Sequence, residues 1–202
     1  MEGLTFYWIF WMGWIITTFF YPRFHPDRLY VSAWILISIM LSTTFIPLGL
    51  VEISGTGFFM LLSAYWFISR LHIKQLLYIL LSTFILMLVT ACFLVYELYD
   101  PVWVVMKREW MIAIIVTCIT LLLLKNQKQR IVAMFLGTIQ GEILYSLILT
   151  KYSFSYPVAT LFSLDSYALS LSLVVGWNFL ELIAAYFDKQ FQITVKEKQK
   201  LL

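Results

Sequence analysis

The chain reads as an all-α, polytopic integral membrane helix bundle of about seven transmembrane helices, and three observations predict it. Of its 202 residues, 62% are hydrophobic and 12% charged, with a mean hydropathy of +0.88; a water-soluble domain with that composition would expose a large apolar surface. Seven long apolar runs alternate with short polar connections. The Lys and Arg residues fall almost entirely in every second connection, the asymmetry that orients membrane helices. Because the runs are continuous and do not alternate, they read as helices and not as barrel strands. The length suits one membrane domain, residues 1–187, followed by a basic tail at 188–202.

The spacing predicts spans at about 4–20, 29–50, 53–71, 75–96, 104–124, 131–150 and 167–187, against the roughly 20 residues that a core of about 30 Å requires. In the first, Phe6, Tyr7, Trp8, Phe10, Trp11 and Trp14 crowd three turns and read as an aromatic belt at the outer boundary. Glu2 precedes it without any Lys or Arg, so it is expected to stay in the chain and not to be cleaved as a signal. Arg23 and Arg28 follow it, which leaves the amino terminus outside. Pro47, Gly49 and Glu52 end the second span, and Gly55 and Gly57 open the third. This stretch reads as a tight outer turn with a kink before it, the alternative being a broken helix facing a cavity.

The third span has only 13 strongly apolar residues, Gly57–Ser69, or about 20 Å. It must recruit Ile53 and Leu71 or lie re-entrant. Counting charges separates these readings. With seven spans one side holds Arg23, Arg28, Arg70, Lys74, Lys125, Lys128, Arg130, Lys189, Lys196, Lys198 and Lys200, eleven in all, and the other holds Lys107, Arg108 and Lys151. A re-entrant third segment gives nine against five. The stronger bias puts the amino terminus outside and the carboxyl terminus in the cytoplasm of a multi-pass cell-membrane protein.

Polar residues inside the spans carry the most information, since a charge at mid-helix costs about 2.5–3.5 kcal/mol to insert. Glu142 lies near the middle of the sixth span, on one face with Thr138 and Tyr145 and beside Ser146. The neighbouring face carries Ala133, Gly137 and Gly141, a ladder of small residues that admits another helix. In the seventh span Asn178 is central and Glu181 one turn further toward the cytoplasm. The sixth and seventh helices are therefore expected to face each other, joining Glu142, Glu181, Asn178 and Gln140 in one buried network with at least one carboxyl neutral. That network is either a proton or substrate relay or interhelical glue; no Lys, Arg or His is expected at matching depth.

Other features give structural readings. Ser38, Ser42, Thr83 and Thr90 can bond back to their own helices. Cys92 and Cys118 lack CxxC spacing, and with His25 and His72 at span boundaries no metal, haem or other cofactor site is expected. His25, Asp27 and Arg28 make a charged turn. HExxH, GxSxG and a paired-Asp motif are absent from the sequence, so no enzyme is expected. The net charge of +3 sits at membrane edges, so the expected partners are the lipid bilayer, anionic lipids through a loosely attached basic tail, and a membrane protein or second copy, but no nucleic acid.

The opening Met1–Trp11, MEGLTFYWIFW, the length and the even spread of spans resemble the YphA-like family of small bacterial membrane proteins. The resemblance implies a bacterial plasma-membrane protein and assigns no functional residue. Two functions follow from the residues: a non-enzymatic accessory or assembly protein acting through helix and tail contacts, or a small proton- or solute-coupled carrier with its site between the sixth and seventh helices. Three spans, a linking span and three more would also permit a 3+1+3 parallel repeat.

Overall fold

The computed structural model describes residues 2–22, 27–49, 51–100, 102 and 106–200, with side chains described for these except 27 and 190–200. Seven helices and one hairpin follow in order: α1 (Leu4–Phe19), α2 (Asp27–Leu41), β1 (Phe45–Leu48), β2 (Val51–Ser54), α3 (Gly55–Ile68), α4 (Ile73–Tyr99), α5 (Arg108–Leu123), α6 (Gln127–Thr150) and α7 (Leu161–Lys200). Three of these, α4, α6 and α7 as far as Lys189, are long and apolar enough to cross a membrane. The others among the described residues run 14 to 16 residues, or about 21–24 Å.

The largest departure from the sequence reading lies between α2 and α3. The residues expected to finish the second span instead form an antiparallel hairpin pairing Phe45 with Ser54 and Leu48 with Val51. Gly49 takes the left-handed conformation, φ 70°, at its turn, and Pro47 lies on β1, which pairs on one side only. On its other side β2 meets the segment before α7: Ser54 N–H donates to the Val158 carbonyl at 3.0 Å, and Val158 N–H donates to that of Glu52 at 2.7 Å. The bundle is thus helical with one small sheet, not purely α.

Helices α1, α2, α3, α6 and α7 pack in sequence around a ring that closes from α7 back to α1. Its middle holds aromatic rings: Phe10, Phe59 and Phe135 lie 6.0–6.1 Å from Trp34, and Phe6 lies 4.3 Å from Phe10. Helix α4 sits outside the ring on α6 and α5. Here the small-residue ladder finds its partner. A Cβ on Gly141 would lie 2.9 Å from the Met87 carbonyl and 2.6 Å from the Thr90 Cβ, and one on Gly137 would collide with Leu86, so the two glycines let α4, not α7, approach closely. The triplets α1–α3 and α5–α7 pack differently, since α5 lies along α7 while α1 and α3 scarcely meet; a parallel repeat is not visible in the packing.

Helix ends sort into two groups. One gathers Gly3, Ser54, Arg108, Tyr156, Val158 and Asp165, joined by the bonds of the hairpin, of Arg108 to Tyr156 and of Gly3 to Asp165. The other gathers Arg28, which donates to the Thr18 carbonyl at 2.6 Å, Tyr78, which donates to that of Leu123, and Arg130, which donates to that of Leu124 at 2.7 Å. The charged turn expected at His25, Asp27 and Arg28 falls largely outside the described residues. The tail expected to be loose continues α7 as helical backbone to Lys200.

Candidate functional site

The four polar residues expected to form one network are held in three places. Glu142 is 3% exposed and accepts the backbone N–H of Ala159 at 2.9 Å. Ser163 and Tyr167 of α7 lie beside the same carboxylate, Ser163 within reach of the Thr160 hydroxyl at 3.4 Å and the Tyr167 hydroxyl buried without a hydrogen-bond partner. Asn178 and Glu181 do come together, but on Arg130, and Gln140 bonds the Tyr65 hydroxyl of α3. Arg130 and Glu142 are twelve residues apart on α6, or about 18 Å, so α6 and α7 touch without joining the two carboxylates.

Around Glu142 the segment 151–160 folds over the end of α6. Ser146 donates to the Tyr156 carbonyl at 2.6 Å, and the Tyr145 and Tyr156 rings meet edge to face at 5.0 Å. Ala159 is left-handed, φ 54°, a conformation that costs a non-glycine residue about 1–3 kcal/mol. Two features hold it there: the Glu142 carboxylate on its N–H, and Gly57, whose Cβ would lie 2.5 Å from that of Ala159. Arg108 extends the cluster outward, donating to the Tyr156 hydroxyl at 3.1 Å and pairing with Glu97 at 3.0 Å. Burial pushes the Tyr156 hydroxyl's pKa up, and the Glu142 carboxylate pushes it the same way, against the pull of Arg108. Tyr156 therefore keeps its proton while its oxygen accepts from Arg108.

The opposite cluster corrects the expectation that no basic residue lies at the depth of the carboxylates. Arg130 is 5% exposed; its Nε donates to the Leu124 carbonyl, and one terminal nitrogen donates to Asn178 and to Glu181, each at 2.8 Å. Trp177 donates to the second Glu181 oxygen at 2.8 Å. Glu181 itself remains partly open, its side chain 37% exposed. Arg130 was readable in the sequence only as a boundary charge. Its fork geometry suits three acceptors on α5 and α7 at once.

Asp165 is a third site, one that the sequence reading assigned to a connection. Both its oxygens accept backbone N–H groups at the start of α1, from Gly3 just before the helix at 2.8 Å and from Phe6 in its first turn at 2.7 Å. The helix start, whose N–H groups lack partners within the helix, is thereby capped from α7. Its two partners lie 162 and 159 residues away, so no local pattern pointed to it.

Of the remaining sequence features, Ser38, Ser42 and Thr90 bond back to their own helices, whereas the Thr83 hydroxyl is buried without a hydrogen-bond partner. The first-span aromatics divide, with Phe6 and Phe10 in the core and Trp8 and Trp11 outside. Cys92 and Cys118 are free and exposed on α4 and α5. Among the described residues no three His, Cys, Asp or Glu side chains converge as a metal set would.

A family model described as YphA-like integral membrane protein matches residues 2–200. A relative from Bacillus subtilis (strain 168), named Uncharacterized protein YphA, is 28% identical over 203 residues, an alignment that covers 100% of both chains. No solved structure matches the chain. With the match running almost from end to end of a bundle of long apolar helices, the chain belongs to the YphA-like family of integral membrane proteins.

Proposed function

We propose that the protein is a non-enzymatic accessory or assembly protein of the cell membrane, crossing it seven times with the amino terminus outside, and that it works through the inner extension of α7. The length of α7 carries this reading. Gln127, at the start of α6, donates to the Asn178 carbonyl at 3.5 Å, and Arg130 meets Glu181 one turn later. Glu181 is thus level with the end of α5 and the start of α6. The helix then runs on from Leu182 to Lys200, about 28 Å at 1.5 Å per residue. Leu182, Tyr186 and Phe187 are exposed on it. Apolar side chains projecting past the bundle favour a cover, and in sequence Lys189, Lys196, Lys198 and Lys200 place positive charge beside the anionic inner leaflet.

Two features support the seven crossings. The charge split is eleven against three, and every contact between helix ends described above joins ends that seven crossings assign to one side. The shorter helices fit with local thinning of the bilayer and with flanking segments such as the hairpin. A reporter fused near Lys74 should give a cytoplasmic signal; an external one would overturn the crossing count.

The carrier alternative has less support, because Glu142 and Glu181 are separately occupied by protein partners. Deleting Lys189–Leu202 should shift the protein's native membrane complex to smaller size on blue-native gels, while Glu142→Gln leaves that complex intact. Unchanged migration after the deletion would sink the tail-mediated reading. Loss of a measured solute uptake in Glu142→Gln, with the complex preserved, would favour the carrier.

A further inference from the structure

We infer that the outer end of α1 binds the ammonium headgroup of a zwitterionic phospholipid. An open groove of about 510 Å³ lies there, lined by Glu2, Leu4, Tyr7, Trp8 and Trp11. Leu4, Trp8 and Trp11 recur at the spacing of one helix face and are exposed, Trp8 most of all. The groove is not loosely built. Tyr7 is held by a 2.7 Å bond to Ser42 of α2, and Gly3, in the left-handed conformation, is tied to Asp165 just before the helix. The chain direction that brings Glu2 to the groove is therefore fixed from α7.

Charge selects the occupant. Glu2 is the only charged side chain in the first 22 residues, and the first cationic one in the sequence is Arg23. An ammonium group gains from both the carboxylate and the faces of Tyr and Trp rings, whereas a headgroup of net negative charge meets no side-chain cation there. Below the groove Met12, Ile15, Ile16 and Phe19 are also exposed, so that with the groove an apolar surface runs down α1 from Leu4 to Phe19, about 22 Å. That surface suits an acyl chain, and its continuity with the groove points to a lipid and not to a soluble amine.

The inference rests on α1 lying in the membrane, and its test separates the two. The full chain is placed in nanodiscs of phosphatidylglycerol containing a minor fraction of phosphatidylethanolamine with brominated acyl chains, and in the reverse mixture with brominated phosphatidylglycerol. Tryptophan quenching is read in both, the groove's share being the difference from a Trp8→Phe/Trp11→Phe variant, since the chain carries eight Trp residues and these two line the groove. The brominated phosphatidylethanolamine should quench as though enriched roughly three- to fivefold over its bulk fraction. Glu2→Gln should bring it close to the bulk value, and Glu2→Lys should reverse the preference. Both variants change an exposed residue ahead of the first helix and leave every Trp in place. Equal quenching by the two labels, or an enrichment that survives Glu2→Lys, would overturn the headgroup site while leaving α1 in the bilayer; quenching by neither label would overturn both readings.

Discussion

Toward the carboxyl end of α6 a carboxylate is sealed beneath a loop and satisfied by a backbone N–H, while near the amino end a buried guanidinium reaches across three elements to a carboxylate that is still partly open. Glu142 holds Ala159 in a left-handed turn and thereby fixes the approach to α7. Arg130 instead ties α6 to the Leu124 carbonyl, Asn178 and Glu181. The Glu142 cluster is a local latch on one segment. The Arg130 cluster is a clamp between helices, placed where α7 leaves its neighbours. Both ionisable groups are occupied by protein partners, Glu142 next to where α7 begins and Arg130 next to where α7 departs.

Arg130→Met should have the largest effect. It removes three donated bonds from a side chain that is 5% exposed and leaves buried acceptors unpaired, a loss of about 3–5 kcal/mol for a buried ionic group. Thermal unfolding in detergent should show a marked drop, with increased hydrogen exchange in α7 near Asn178. A drop of less than about 1 kcal/mol would mean that the clamp is not holding α7.

Glu142→Leu should come next, at about 2–3 kcal/mol, because the Ala159 N–H is left buried without an acceptor. Glu142→Gln keeps an acceptor oxygen and should lose about half as much. Proteolysis within 151–160 is the sensitive readout: faster cleavage in the Leu variant than in the Gln variant supports the latch, and equal rates break the distinction between the two ends. Between the ends, Gly141→Ala should cost about 1–3 kcal/mol by overpacking against α4, since its new Cβ would meet the Thr90 Cβ at 2.6 Å. Disulfide trapping across α4 and α6 would report the separation.

How much of this was legible in the sequence depended on range. Apolar runs located the helices, and the Gly137–Gly141 ladder announced a close approach, because both are properties of one helix. Which helix approached was not legible: α4 and α7 both offer apolar faces, and only the assembled ring excludes α7 from that side of α6. The hairpin was hidden because Phe45, Ile46, Leu48, Val51 and Ile53 score as membrane span by hydropathy alone, although Pro47 and the turn at Gly49 were local hints. Arg130 was counted for topology and Asp165 was read as a connection. Their partners are Glu181, 51 residues away, and Gly3, 162 away, distances over which no periodicity carries a signal.

Glu181→Gln should have the smallest effect, and it tests the asymmetry of the clamp most finely. The Arg130 guanidinium keeps the Leu124 carbonyl and the Asn178 oxygen, and Gln retains an oxygen for either Arg130 or Trp177. The Glu181 side chain is more than a third exposed, so water already stabilises its charge and screens the pair. The expected loss is about 0.5–1 kcal/mol, shrinking as salt is raised from 0.05 to about 0.5 M, whereas the loss in Arg130→Met should persist across the same range. If both losses faded together with salt, the clamp would be a surface ion pair and the buried bonds to Leu124 and Asn178 would contribute little. If neither faded, Glu181 would be as sealed as Glu142, and the contrast between the two ends of α6 would disappear.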